Sequence, residues 1–251
     1  MILQMKIALL IPTTSYRRDE WKYVVQSYLY NLTIKTFIET YDTEHEYRFY
    51  IGIDKKDRIF DDKKSKERIE KLFTGKNVSV EFLYMSDCKK GHLTAMWNIL
   101  FKKAYDDGFD YFFQCGDDIS FKTKGWVNDC IRVLEEHNNI GLTGPINNNP
   151  VILTQAFVSR KHMEIFGWFF PEEIINWGCD DWYNEVYKPD YFFPLKNHYC
   201  SNDGGVPRYQ INNDPMYEYN MQLNTMKLRT DVSILANNHK NKIIEYKMNM
   251  I

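Results

Sequence analysis

Two adjacent carboxylates end an apolar run in this 251-residue chain, Tyr111-Phe112-Phe113-Gln114-Cys115-Gly116-Asp117-Asp118-Ile119-Ser120-Phe121. The run reads as a buried strand, entered from a turn at Asp106-Asp107-Gly108. Paired acids at a strand end put like charges at the rim of a low-dielectric core, which is costly unless a cation or hydrogen-bond donors meet them. In an open α/β sheet such strand ends are also where ligands bind. The simplest chemistry is a divalent metal beside a phosphate-bearing substrate, one acid holding the metal and its neighbour taking a water or a sugar hydroxyl. The plainer alternative is a strand followed by an acidic turn.

Two further acidic positions share this character. Asp54 follows the apolar run Tyr47 to Ile53, and Asp180-Asp181 lie in Trp177-Gly178-Cys179-Asp180-Asp181-Trp182. Apolar flanks raise the basicity of a carboxylate by desolvation, as a general base requires, and aromatic faces stack on the apolar face of a sugar ring. Each acid also has a bland role. Asp54 can cap a loop, and Asp180-Asp181 can open a helix over Trp182 to Tyr187, where the dipole favours acids.

The elements that must position these acids alternate. Lys6 to Ile11 is a continuous apolar run, as expected of a central parallel strand, stopped by Pro12-Thr13-Thr14-Ser15. A helix through Trp21, Val24, Val25, Tyr28 and Leu29 follows. The loop between them holds hydroxyls and two arginines but no glycine, which excludes a P-loop and a GxGxxG turn. Strands at Tyr47 to Ile53 and Val78 to Met85 alternate with a solvated helix within Lys55 to Lys71 and a helix over Leu93 to Tyr105. Later come a helix from Gly125 to His137, short strands near Ile140 to Pro145, Ala156 to Val158 and Tyr191 to Leu195, and a loop from His198 to Gln210. Helical periodicity returns over Pro215 to Lys240. Strand–helix alternation implies a mostly parallel α/β sheet with right-handed crossovers.

Composition narrows the classes. A formal net charge of −2 argues against wholesale nucleic-acid or membrane-surface binding, and 44% hydrophobic with 16% aromatic residues supports a substantial core. No apolar run reaches the roughly 18 residues that span a bilayer, and Ile7 to Ile11 lacks the cleavage site of a signal peptide. The five cysteines show no CxxC spacing, which suits free thiols in a reducing compartment. The expectation is a soluble cytoplasmic protein. The Asn/Lys/Ile/Tyr-rich composition hints at an AT-rich genome, including that of a large virus, for which the place would be the host cytoplasm or the virion.

Taken in order, strand–Pro-Thr-Thr-x-x-Arg, strand–Asp, Gly-x-x-x-Ala-x-x-Asn helix, strand–x-Asp-Asp and Trp-Gly-x-Asp-Asp-Trp resemble the GT-A-fold glycosyltransferases, and among them the family 2-like nucleotide-sugar enzymes, over roughly residues 5 to 200. The resemblance implies a single Rossmann-like GT-A domain over 1–251. Its nucleotide-sugar-binding half would be about 1–122 and its acceptor-side half about 123–210, with a helical tail over 211–251. It implies that Pro12, Thr13, Thr14 and Arg17 line the nucleotide pocket, that Asp54 faces the base or ribose, and that Ala95 and Asn98 lie on the helix beside the diphosphate. Gly116-Asp117-Asp118 matches the family's Asp-x-Asp, with glycine at the first acid. Asp118 would be the metal ligand, Asp117 would bind the donor, and His198 would be a late metal ligand. Asp180-Asp181 matches the pair that supplies the base in inverting members, Asp181 being favoured.

The function so implied is transfer of a sugar from a UDP- or GDP-linked donor to a hydroxyl on a glycan or protein, dependent on Mn²⁺ or Mg²⁺ and inverting through an Asp base. A retaining enzyme would need no such base. The alternatives are a nucleotidyltransferase, whose usual glycine- and lysine/arginine-rich first loop is not found here, and a catalytically inactive glycan-binding domain on the same fold.

Overall fold

Strand β1 (Lys6–Thr13) buries every residue after Lys6, so water reaches neither of its faces. In the computed structural model, which describes residues 3–88, 91–205 and 221–250 (backbone alone for 221–230), β1 lies at the middle of an eight-stranded sheet. Its side chains alternate with the pleat. Ile7, Leu9 and Ile11 enter one core layer, and Ala8 and Leu10 enter the other. This two-sided burial explains the unbroken apolar run.

β1 pairs in parallel with β2 (Glu46–Ile53) and β4 (Tyr111–Gln114), and β2 with β3 (Val78–Tyr84). The chain winds from β1 to β2 and β3 on one side, then crosses to β4 on the other. The reversal between β1 and β4 is the switch point at which such sheets bind ligands. Beyond β4 the sheet is mixed. β7 (Ala156–Ser159) runs antiparallel to both β4 and β6 (Leu142–Ile146), β8 (Phe192–Asn202) runs parallel to β6, and β5 (Ile119–Phe121) runs antiparallel to β8. The ends of β1, β2, β4, β6 and β8 and the beginnings of β5 and β7 therefore open on one edge.

The helices are α1 (Lys35–Thr40), α2 (Lys63–Glu70), α3 (Leu93–Asp106), α4 (Trp126–Glu136), α5 (Lys161–Phe166), α6 (Cys179–Tyr187) and α7 (Met221–Met248). The first core layer packs α1 and α4 against the sheet, and the second packs α3, α5, α6 and α7. Among the described residues no helix is long and apolar enough to cross a membrane.

Local rules were overridden in two places. The helix expected from Trp21 is a single turn at Val24–Gln26, because the Ser27 hydroxyl donates to the Val24 carbonyl and accepts from the Tyr30 amide; helical structure resumes at Leu29. Of the loop expected from His198 to Gln210, residues 206–210 lie outside the described residues, and His198 to Asn202 instead end β8, an 11-residue strand. Its Cys200, Ser201 and Asn202 pair with Phe121, Ser120 and Ile119 of β5, partners invisible in local sequence. The expected tail helix exists as α7, while the part of that expectation before Met221 lies outside the described residues.

Candidate active site

The hydroxyls of Thr13, Thr14 and Ser15, at and just past the end of β1, are each committed to a carboxylate. Thr13 Oγ1 donates to Asp117 Oδ2 at 2.5 Å, joining β1 to the end of β4. Thr14 Oγ1 lies 3.1 Å from both Asp54 Oδ2 and Asp57 Oδ2, so its single proton bridges two acids beyond β2. Asp57 also accepts from Ser15 N (2.7 Å), Ser15 Oγ (2.9 Å) and the amides of Ile59 and Phe60 (both 2.9 Å). This cage fixes the loop without glycine. Asp57 escaped the sequence reading; its only signal was the Asp-x-x-Asp spacing from Asp54.

Pro12, Thr13 and Thr14 are buried at the sheet edge. Arg17 is not: it is exposed, with φ at 57° and its guanidinium 5.4 Å over the Tyr16 ring. The arginine that turns inward is Arg18, only 7% exposed. Its Nη2 donates to the Gly204 carbonyl at 3.4 Å, and its guanidinium lies over Trp21 and Tyr28. Arg58 Nη2 holds the Arg18 carbonyl in turn at 3.0 Å. Adjacent arginines give no clue in sequence as to which one faces in.

Asp117 is fully buried and Asp118 partly so. The Asp118 carboxylate lies between two glycines. A Cβ on Gly116 would come within 2.6 Å of Asp118 Oδ1, and one on Gly204 within 2.1 Å of Oδ2 and 2.3 Å of the Asp118 Cβ. Glycine at 116 thus makes room for the neighbouring acid. The Asp203 amide also donates to the Asp118 carbonyl at 3.0 Å, so the turn after β8 closes against the end of β4. Hydrogen bonding from Ser120 holds the Asp203 carboxyl below its ordinary range.

Helix α3 is a brace. Asn98 Oδ1 accepts from the amides of Phe169 and Phe170 (2.9 and 2.8 Å), and its Nδ2 donates to the Phe170 carbonyl at 2.8 Å. Thr94 Oγ1 donates to the Ile175 carbonyl at 3.1 Å, and Trp97 Nε1 to the Leu10 carbonyl at 3.2 Å. Asn98 therefore binds the chain leading to α6. Ala95 is partly buried in the first turn of the same helix.

Asp180 and Asp181 occupy the first turn of α6, entered through Gly178 at φ 86°. Asp180 keeps a solvent-facing edge, yet dense packing around it pushes its carboxyl up to about 7. Tyr183 OH donates to its Oδ1 at 3.3 Å, with the Cys179 thiol at 3.5 Å. Trp182 is wholly buried and donates to His239 Nδ1 at 3.2 Å, so the exposed aromatic beside the acids is Trp177, 48% accessible.

His198 is occupied elsewhere. Its Nε2 is 2.9 Å from Asp129 Oδ2 and its Nδ1 3.1 Å from Thr123 Oγ1, which ties β8 to α4. Among the described residues no three His, Cys, Asp or Glu side chains form a metal-holding group. An ion of the Mg²⁺ or Mn²⁺ kind needs only one or two carboxylates and draws its remaining oxygens from phosphate and water.

No protein-family model matches the sequence, and comparison with curated proteins gives no match. Among solved structures the fold is similar to that of S. aureus TarS, with a TM-score of 0.53 at 14% identity over 78% of this chain and 36% of that one. TarS 1-349 in complex with UDP gives 0.53, and in complex with UDP-GlcNAc 0.56, both at 13% identity over 94% of this chain and 70% of that fragment. The likeness is one of fold, a GT-A-like α/β domain, and this chain spans about a third of the full TarS chain.

Proposed function

We propose that this chain is a glycosyltransferase that moves a sugar from a nucleoside-diphosphate donor to a hydroxyl on a glycan or protein, inverting the anomeric centre. One observation carries the reading. A hydroxyl-lined loop and the Asp117-Asp118 pair meet at the sheet's switch point, while α6 supplies a carboxylate that burial holds near pKa 7. The UDP and UDP-GlcNAc bound in the TarS structures support a UDP-linked donor.

In this reading the loop Pro12 to Ser15 and Asp54 hold the nucleotide, and Arg18 gives the loop its inward positive charge. Elements before about residue 122 serve the donor and later ones the acceptor, with the turn at 202–205 returning to the donor side. Asp118 would hold Mg²⁺ or Mn²⁺, which neutralises charge on a diphosphate when bound. The acceptor oxygen attacks the anomeric carbon, its proton passes to a carboxylate of α6, and the bond to the diphosphate breaks with the electron pair leaving on oxygen. Burial favours Asp180 over Asp181 for the proton.

Calorimetry with UDP and GDP, with and without Mn²⁺, tests the donor half. Binding of one nucleotide, strengthened by the ion, supports the reading; a folded protein that binds neither contradicts it.

A further inference from the structure

Gln114 is the last residue of β4, immediately before Cys115-Gly116-Asp117-Asp118. It pairs with Leu10 of β1 and Ala156 of β7, and the pleat puts its side chain on the face of Phe112, beneath α3 and α6. The surrounding groups lead to both reacting ends of the site. Trp97 bonds the Leu10 carbonyl on one flank, its ring lies 5.4 Å from Phe170, and Phe170 lies 5.7 Å from Tyr183. On the other flank Tyr183 OH lies 3.1 Å from the Leu153 carbonyl and 3.3 Å from Asp180 Oδ1. Gln114 thus ends β4 on the sheet face that packs α3 and α6, the helix that carries Asp180.

It is 1% exposed, and its Oε1 has no hydrogen-bond partner among the described residues. A buried amide oxygen without a donor is disfavoured against an apolar side chain of the same shape. Its place in a folded chain asks for a donor that arrives from outside. Resting on the reading above, the transferred sugar is the part of the substrate that must lie between the diphosphate and the base. We propose that Gln114 Oε1 accepts a hydrogen bond from that sugar, from a hydroxyl or an amide N–H, making Gln114 a residue that determines donor specificity.

The test uses the full chain with Gln114→Leu and Gln114→Met. It reads the thermal midpoint, UDP affinity, and affinity for UDP-glucose, UDP-galactose, UDP-GlcNAc and UDP-GalNAc. Both variants should melt at or above the wild-type temperature, bind UDP as the wild type does, and bind the preferred UDP-sugar roughly tenfold or more weakly. Variants that keep full UDP-sugar affinity overturn the proposal. So do variants that melt lower and lose UDP together, since Gln114 is then a structural residue. A wild type that binds neither UDP nor any of the four sugars overturns this assignment, and one that also binds no GDP overturns the glycosyltransferase reading itself.

Discussion

Asp180 shows how a single residue sets stability against chemistry. Burial pushes its carboxyl from an ordinary 3.8 to about 7. In the folded chain the group therefore binds a proton that the unfolded chain releases, and stability falls as pH rises from about 4 through 7. Asp180→Asn removes that penalty and keeps an acceptor for Tyr183. The variant is expected to melt at a higher temperature than wild type at pH 8 while transferring sugar ~10²- to 10⁴-fold more slowly, the range of a lost general base. The wild-type rate should fall with unit slope below about pH 7, and the variant should lose that limb. Gly204 supports a second prediction at this scale. Gly204→Ala drives a methyl into Asp118 at 2.1–2.3 Å, against its Cβ as well as its oxygen. Gly116→Ala meets only the rotatable carboxylate end, at 2.6 Å. Donor turnover should therefore fall further in Gly204→Ala than in Gly116→Ala, as steady-state kinetics on the two folded proteins would show.

Elements hold the site through polar pins between helices. His162 in α5 is buried, with Nδ1 2.7 Å from Tyr187 OH and Nε2 3.0 Å from the Phe169 carbonyl, and burial lowers its pKa from 6.5 to about 4. Here the folded state refuses a proton that the unfolded state takes up. His162 thus contributes stability that is present above pH 6.5 and lost as pH falls towards 4, about 3 kcal/mol in all. Asp180 acts with the opposite sign over the same interval, so the wild-type profile is a sum. Urea midpoints of wild type and His162→Gln between pH 4 and 7 isolate the histidine: the difference between the two proteins should shrink as the solution is acidified. A constant difference would contradict the assignment.

For the whole molecule, β1, β2 and β4 were legible in sequence because they are buried on both faces for most of their length and so read as apolar runs. In the mixed half the strands near Ile140 to Pro145, Ala156 to Val158 and Tyr191 to Leu195 were read as well, but the antiparallel pairing of β7 was not. The continuation of β8 past Pro194 and its pairing with β5 depend on partners distant in the chain. Of the candidate site, Asp54, Asp117, Asp118 and Asp180 were singled out from types and spacing and Thr13 and Thr14 from the family resemblance, and the structure gathers all but Asp180 at one sheet edge. Sequence did not separate Arg18 from Arg17, expose Asp57, or show that Asn98 and His198 are bound to protein groups, because side-chain direction is decided by tertiary packing. The same packing encloses Cys115, Cys130, Cys179 and Cys200, leaving Cys88 partly accessible. A disulfide-exchange reagent should modify one thiol in the native chain and five in denaturant.

The most direct test of the central claim is a panel of nucleotide sugars incubated with Mn²⁺, reading released nucleoside diphosphate, for wild type and Asp118→Asn. The account predicts release from one donor, abolished by the substitution and by chelator. Release that survives Asp118→Asn, or no release from any donor by a folded protein that also binds no nucleoside diphosphate, would contradict it.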